Sequence, residues 1–223
     1  MADNLFIKIF SRLPMAHSTR AYAFILDHIH LPPNAVLLDL GAGAGHGTAF
    51  LNQALPDARV IGLDIDYGPA MGKVPPAHRD GPNAPRYIQA NAPELPLADE
   101  SLDAVMAMMT FHCLPQPQQV LDEAARVLKP GGALVIGDVD GQHWMGRPFE
   151  WVEHRFISPY THAYTAAELE RMMAAAGLGG FTLLRRPGKE KGFMQWCVGY
   201  KNVRPEINLQ GDIRFQGEPC LDC

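Results

Sequence analysis

The sequence predicts an α/β fold, with a doubly wound, mostly parallel seven-stranded sheet, helices on both faces and an antiparallel last strand. Short apolar segments of strand length alternate with segments of helical periodicity along most of the chain. The first apolar segment, AVLLDL at residues 35–40, has the composition of a strand that is buried on both faces. The last two strand-like segments are joined by a turn, which favours antiparallel pairing.

The first half of the chain contains a βαβ pattern. Residues 5–30 have apolar positions at helical spacings that Pro14 interrupts, which predicts two helices. After the strand at 35–40, a helix is predicted at Gly45–Leu55, and a second strand at Arg59–Leu63 ends on Asp64. Residues 68–86 are dense in proline and glycine and predict mainly a loop.

The second half continues the alternation of strands and helices. Helices are predicted at Gln118–Leu128, ended by a turn at 129–132, and at Thr165–Ala176, which begins with the capping pattern T-x-x-E. The further predicted strands are Tyr87–Gln89, Leu102–Met108, Ala133–Ile136, Phe181–Leu184 and Phe193–Tyr200. We therefore divide the chain into an N-terminal helical lid (1–34), a core (35–200) and a C-terminal tail or small hairpin (201–223).

Composition argues against several classes of partner. The net charge of -5 and the lack of a basic cluster predict no nucleic-acid partner. Lys8 and Arg12 interrupt the apolar N-terminal stretch, so we expect no signal peptide, no membrane span and a cytoplasmic protein. The C-x-x-C pair Cys220 and Cys223 lacks a second pair or nearby histidines, so we expect free thiols and no metal. The sequence does not specify an oligomeric state.

The segment VLLDLGAGAGHGT, residues 36–48, predicts a ligand site. A buried strand leads into a glycine loop and then into a helix, whose first N–H groups lack partners within the helix. Gly41 and Gly43 lack a Cβ atom, so a ligand can lie against the backbone at this point. Asp64, at the end of the second strand, can accept hydrogen bonds from both hydroxyls of a ribose.

Two enzyme classes use a glycine loop at this place. The dehydrogenase fingerprint G-x-G-x-x-G would require a third glycine where His46 stands. Asp39 followed by G-x-G-x-G instead resembles the class I S-adenosylmethionine-dependent methyltransferases, with a methyltransferase type 11-like core and a Rossmann-like fold. The segments QANAPELPLADESLDAV (89–105) and ARVLKPGGALVIGD (125–138) extend the resemblance, which covers about residues 36–200.

The resemblance implies S-adenosylmethionine as the cofactor and a set of residues that bind it. It puts Asp39 near the aminopropyl end of the cofactor, Gly41 and Gly43 beneath it and Asp64 on its ribose. It puts Asn91 and Ala92 at the adenine edge. Asn91 stands where the family commonly has an aspartate, but its side-chain carbonyl can still accept a hydrogen bond from the adenine amino group.

Two histidines follow predicted strands on the side where the methyl group should point. His112 comes after the fourth strand and His143 after the fifth, and we name both as candidate general bases. The alternative for each is a structural histidine whose ring is satisfied by its surroundings. The apolar residues beside them favour an apolar acceptor pocket, although core packing explains Met106 better.

We expect a methyltransferase that acts on a small, partly apolar acceptor, with oxygen, nitrogen and carbon acceptors all open. The alternatives are a non-catalytic module that binds S-adenosylmethionine and regulates a partner, and an NAD-dependent dehydrogenase. A methyltransferase of protein or tRNA would predict a basic or peptide-binding face, which the sequence does not show.

Overall fold

The computed structural model describes residues 19–66, 84–185, 192–202, 205–207 and 213–215. The helices are α1 (Thr19–Leu26), α2 (His46–Ala54), α3 (Pro117–Val127), α4 (Gly146–Phe156) and α5 (Ala166–Ala175). The strands are β1 (Val36–Leu40), β2 (Arg59–Asp64), β3 (Arg86–Gln89), β4 (Leu102–Met108), β5 (Leu128–Val139), β6 (Leu178–Leu184), β7 (Met194–Lys201), β8 (Pro205–Ile207) and β9 (Ile213–Phe215). A short 3₁₀ turn, Phe111–Cys113, follows β4.

The predicted seven-stranded sheet is confirmed. Its strands lie in the order β3-β2-β1-β4-β5-β7-β6. The pairs among the first five strands are parallel, whereas β7 pairs antiparallel with both β5 and β6. The last strand of the sheet along the chain therefore inserts between β5 and β6 and is its antiparallel member. The order reverses at β1, where doubly wound sheets bind ligands beyond the strand ends.

The strands are buried on both faces, because helices cover each side. Successive side chains of a strand point to opposite faces, so Leu38 and Leu40 join one apolar cluster and Leu37 joins the other. The first cluster contains residues of α3 and α5, including Leu121 and Leu169. The second contains residues of α1 and α2. Asp39 shares the face of Leu37 and is therefore directed toward α1 and α2.

The largest difference from the predicted boundaries lies after α3. The predicted turn 129–132 is part of β5, because Leu128 already pairs with Leu102 and the register shifts before Ala104 pairs with Ala133. Gly131 absorbs this irregularity with a φ of 79°. The sequence analysis also predicted no helix at α4. Pro148 is compatible with this helix because it lies in the first turn, where the missing N–H costs no helical hydrogen bond.

Several predictions concern residues outside the described ranges. The first of the two N-terminal helices and most of the loop 68–86 lie there, as do Cys220 and Cys223. In the C-terminal region, β8 and β9 pair antiparallel. The cysteines Cys113 and Cys197 are free thiols.

Helix α5 begins with the predicted capping box. The Thr165 hydroxyl accepts a hydrogen bond from the Glu168 N–H, and the Glu168 carboxylate accepts one from the Thr165 N–H. Leu169 and Met173 of this helix are fully buried against the sheet. The capping box therefore fixes where the helix begins and which residues it buries.

We expect Thr165→Ala to lower the free energy of unfolding by about 1 kcal/mol, because one N–H at the start of α5 loses its acceptor. Urea denaturation measures the change. Thr165→Ser is the matched control, since it keeps the hydroxyl and should retain most of the stability. Equal losses in the two variants would contradict a capping role.

Candidate functional site

The candidate residues come together at the carboxyl edge of the sheet. Asp39 is the penultimate residue of β1, and Asp64 is the last residue of β2. Asn91 follows the end of β3 by two positions. His112 lies in the 3₁₀ turn after β4, and His143 follows β5. Because these strands are parallel, their ends lie along one edge of the sheet, where doubly wound sheets bind ligands, and we call the region between these residues the crevice.

The glycine loop after β1 is held by hydrogen bonds to the end of β2. The N–H groups of Gly41 and Ala42 donate to the carbonyl of Leu63 at 2.8 and 3.0 Å. Gly41 has a φ of 74°, and a Cβ atom on it would overlap the side chain of Thr110. Gly45 begins α2 with a φ of 77° and no side-chain cap. The loop therefore leaves the start of α2 open to a ligand.

A fully buried carboxylate supports this loop from one face of the sheet. Asp39 accepts hydrogen bonds from the Tyr22 hydroxyl at 3.0 Å and the Thr48 hydroxyl at 2.6 Å. Burial raises the pKa of Asp39, while the hydrogen bonds from Thr48 and Tyr22 act in the opposite direction. Burial and the charge of Asp39 raise the pKa of Tyr22 well above its ordinary value, so the phenol stays a donor. Asp39 thus connects β1 to α1 and α2.

Asp64 closes the crevice on the side of β2. One carboxylate oxygen accepts the Gly43 N–H at 2.7 Å, and the other accepts the Asp66 N–H at 3.0 Å. A carboxylate has about four acceptor positions, so both oxygens keep capacity for a ligand. The next residue, Ile65, exposes 64% of its surface. An apolar side chain therefore stands beside a carboxylate at the rim.

The residues after β3 differ in exposure. Asn91 is exposed, and its backbone carbonyl accepts the Glu94 N–H, whereas Ala92 is buried. Gln89, at the end of β3, donates from its side chain to the carbonyl of Ile65. This contact joins the loop after β2 to the end of β3, so both belong to the same wall of the crevice.

His112 lies between two buried carboxylates. The ring Nδ1 is 2.7 Å from Asp138 Oδ1, and the ring Nε2 is 3.6 Å from Glu153 Oε2. The backbone N–H of His112 donates to the other oxygen of Asp138, Oδ2. Burial would lower the pKa of His112, but the charges and hydrogen bonds of Asp138 and Glu153 outweigh it and raise that pKa well above its ordinary value. The two carboxylates therefore favour the protonated imidazole, whereas a general base needs a free acceptor nitrogen.

His143 is half-buried between β5 and α4. Its Nδ1 accepts the Met145 N–H at 3.2 Å, and its ring meets that of Phe193 edge to face at 5.6 Å. A small apolar cluster lies close by, formed by Val139, Phe149 and Ala163 with Met109, Phe193 and Met194. Met106 and Phe111 belong instead to the buried core, while Trp144 is exposed. Apolar side chains thus lie beside His143 at the edge of the sheet.

The sequence analysis did not predict the residues that contact Asp39 and His112. Asp138 could have been suspected, because a carboxylate near the end of a buried strand needs a partner. Glu153 gave no signal, since no helix was predicted there. Tyr22 and Thr48 look like ordinary core positions along the chain. Among the residues that the structure describes, no group of three or more His, Cys, Asp and Glu residues is arranged to hold a metal ion.

Comparison with known families gives one match within the core. Residues 38–136 match the model of a methyltransferase domain. This segment runs from β1 into β5 and includes the glycine loop, Asp64, Asn91, Ala92 and His112.

Individual proteins extend the likeness. The chain is 34% identical over 154 residues to malonyl-[acyl-carrier protein] O-methyltransferase of Methylococcus capsulatus, covering 69% of this chain and 54% of that protein. It is 38% identical over 100 residues to demethylmenaquinone methyltransferase of Clavibacter sepedonicus, covering 45% of this chain and 39% of that protein. The chain therefore spans about half the length, or less, of these curated relatives.

A solved structure shares the fold. A SAM-dependent methyltransferase from Thermotoga maritima superimposes with a TM-score of 0.64 at 24% identity, covering 88% of this chain and 96% of that one. None of the helices that the structure describes has the length and apolar composition of a membrane-spanning segment.

We expect Gly41→Ala to destabilise the protein more than Gly131→Ala. Both glycines have a positive φ, so either substitution costs about 1–2 kcal/mol in the backbone. Only at Gly41 does the new methyl group meet Thr110, whereas nothing lies within 4 Å of a Cβ on Gly131. The overlap should add about 1–3 kcal/mol, measured by urea denaturation. Gly41→Ala/Thr110→Gly should recover part of that excess, and equal losses at the two glycines would contradict the close contact.

The raised pKa of His112 predicts a dependence of stability on pH. The stabilisation from protonated His112 is complete below the unfolded-state pKa of about 6.5 and is lost as the pH rises through the folded-state pKa. NMR titration of the imidazole should show an imidazolium above pH ~7, and the free energy of unfolding should fall at higher pH. Glu153→Gln should lower the pKa of His112. A midpoint at or below about 6.5 in the unmodified protein would contradict the prediction.

Proposed function

We propose that the chain contains a class I S-adenosylmethionine-dependent methyltransferase domain and transfers the methyl group of that cofactor to a small, partly apolar acceptor, which the match of residues 38–136 to a methyltransferase domain supports. The observation that carries the proposal is the meeting of the glycine loop and Asp64 at the reversal point of the sheet. When bound, S-adenosylmethionine supplies a methyl group on a sulfonium centre that is already activated for transfer.

The described residues fit such a cofactor. A Cβ added to Gly43 would have only the Gly41 carbonyl oxygen within 4 Å, so the loop is open there, while Gly41 packs directly against Thr110. Asp64 has acceptor positions left for the hydroxyls of a ribose. Ile65, exposed beside it, can pack on the face of a base, with Asn91 and Ala92 at the edge of that base.

We assign Asp39 a supporting role beneath the aminopropyl end of the cofactor. Its oxygens are engaged by Tyr22 and Thr48 and the residue is 1% exposed, so it acts on the ligand through the loop that it holds. It is a positioning residue in this proposal.

The two histidines take different roles from the expected one. His112 keeps its proton between Asp138 and Glu153 and positions the turn after β4 against α4. The Nδ1 atom of His143 accepts the Met145 N–H. In the neutral imidazole, the proton is therefore on Nε2. We therefore propose that His143 donates a hydrogen bond that orients the acceptor, while neither histidine removes a proton.

The apolar cluster beside His143 supports an apolar acceptor. Phe149, Phe193 and Met109 offer aromatic and thioether surface next to the polar rim of the crevice. The name of the Clavibacter relative specifies a methyltransferase of demethylmenaquinone. A quinone-like or lipid-like acceptor fits this composition, with the methylated atom left open.

The second candidate function is a module that binds S-adenosylmethionine without turnover. The observation that favours it is the position of His112, whose two ring nitrogens face Asp138 and Glu153, which leaves the crevice without an assigned base. Release of S-adenosylhomocysteine with a panel of quinone-like and phenolic acceptors would distinguish the two functions. An NAD-dependent dehydrogenase is disfavoured by His46 at the third-glycine position.

We expect Asp64→Asn to weaken binding of S-adenosylmethionine and S-adenosylhomocysteine by about 10- to 100-fold, because charge-assisted hydrogen bonds to the ribose are worth roughly 1.5–3 kcal/mol. Isothermal titration calorimetry of the two compounds and NAD measures the affinities. Asp57→Asn is the matched control, since Asp57 is exposed before β2, away from the carboxyl edge. Binding of NAD alone, or unchanged affinity in Asp64→Asn, would contradict the proposal.

A further inference from the structure

The segment around α4 concentrates exposed apolar side chains. Seven large hydrophobic residues are exposed in the described part of the chain, and six of them lie between positions 144 and 160. We define the α4 surface by the five most exposed of these six together with two arginines. Its members are Trp144, Arg147, Trp151, Arg155, Phe156, Ile157 and Tyr160. Large exposed apolar patches mark interaction sites in proteins, which makes this surface a candidate for one.

The helix itself has two distinct faces. Phe149 and Glu153 are buried on the inner face, and Trp151 exposes 68% of its surface on the opposite side. At 100° per residue, Arg147 and Arg155 each lie about 40° from Trp151 on that outer side. The outer face thus has an aromatic centre between two cations.

The acidic residues of α4 do not face outward. Glu153 lies against His112, and Glu150 accepts the Ala163 N–H at 3.1 Å and lies 3.6 Å from His162. The outer face is therefore cationic, although the whole chain carries a net charge of -5. This local charge selects for an anionic partner.

The α4 surface lies on the side of the molecule where the acceptor must enter. Helix α4 follows β5, whose carboxyl end lies at the same edge of the sheet as the glycine loop and Asp64. Phe149 is on the inner side of α4, in the apolar cluster beside His143. Whatever the outer face contacts is therefore one helix away from the proposed acceptor site.

We propose that the α4 surface binds to anionic phospholipid bilayers and brings the crevice to a membrane-borne acceptor, an inference whose second half depends on the proposed function. Tryptophan and tyrosine favour the boundary between headgroups and acyl chains, and the arginines contact the phosphates. Phe156 and Ile157 are also exposed at the end of the helix, although they lie about 140° and 120° around the helix axis from Trp151. Arg155 stacks 5.2 Å above the Phe156 ring.

Other occupants fit the composition less well. A second copy related by a two-fold axis through this face would bring Arg147 and Arg155 against the same arginines. An acidic protein would be recognised mainly through charge at a polar rim, whereas here apolar side chains outnumber the cations. A bilayer satisfies both the apolar area and the cations.

Sedimentation of the full chain with vesicles tests the proposal. We expect binding to phosphatidylcholine vesicles that contain about one third phosphatidylglycerol, at least about tenfold weaker binding to phosphatidylcholine alone, and weakening by salt. Trp151→Ser should reduce binding about tenfold or more, while Trp151→Phe retains most of it.

A matched pair of double variants tests the role of the cations. Arg147→Glu/Arg155→Glu should abolish the preference for anionic vesicles. Arg59→Glu/Arg171→Glu makes the same charge change at exposed positions in β2 and α5 and should leave binding unchanged. Urea midpoints equal to that of the unmodified chain show that each variant is folded.

Two results would overturn the proposal: no binding to either vesicle, or equal binding by the unmodified chain and the α4 variants. A monomer–dimer equilibrium that Trp151→Ser abolishes, in a chain that binds neither vesicle, would assign the surface to a second copy instead. Titration with S-adenosylhomocysteine separates this failure from that of the proposed function. Cofactor binding without vesicle binding rejects only the membrane inference. Vesicle binding without cofactor binding rejects the proposed methyl transfer, and with it the membrane-borne acceptor, but leaves the contact between the α4 surface and the bilayer standing.

Discussion

The carboxylate of Asp39 is placed where no water can reach it, and the geometry of the crevice depends on how that charge is satisfied. An unpaired buried carboxylate would cost several kcal/mol, so the hydroxyls of Tyr22 and Thr48 must remain in contact with it. Tyr22 can reach it only because residue 47 is a glycine, since a Cβ there would overlap the Tyr22 hydroxyl. The first strand, two helices and the glycine loop are therefore fixed relative to one another.

A second buried polar cluster, formed by His112, Asp138 and Glu153, connects the elements on the other side of the crevice. His112 joins Asp138 of β5 to Glu153 of α4, and a protonated imidazole between them offsets the charge of two buried carboxylates. The wall next to the glycine loop and the wall next to the apolar cluster are thus held by separate groups. Such a division would let the acceptor side vary among relatives while the loop side stays constant.

Helix α4 connects the crevice to the outer surface of the molecule. Its inner residues, Phe149 and Glu153, are committed to the apolar cluster and to His112, whereas Trp151 points away from both. Helix α4 therefore lies between the exposed α4 surface and the apolar cluster beside His143.

Local patterns in the sequence determined the strands, the glycine loop and the T-x-x-E cap, because backbone preferences and apolar periodicity act over a few residues. They also placed Asp64 and His112 at the carboxyl edge, since parallel strands share that edge. Only the tertiary structure decided that the turn at 129–132 is a bulge within β5 and that His112 lies between two carboxylates, which raise its pKa. Protonation depends on burial and on charges brought from distant positions, here Asp138 and Glu153, and no local pattern encodes such distances.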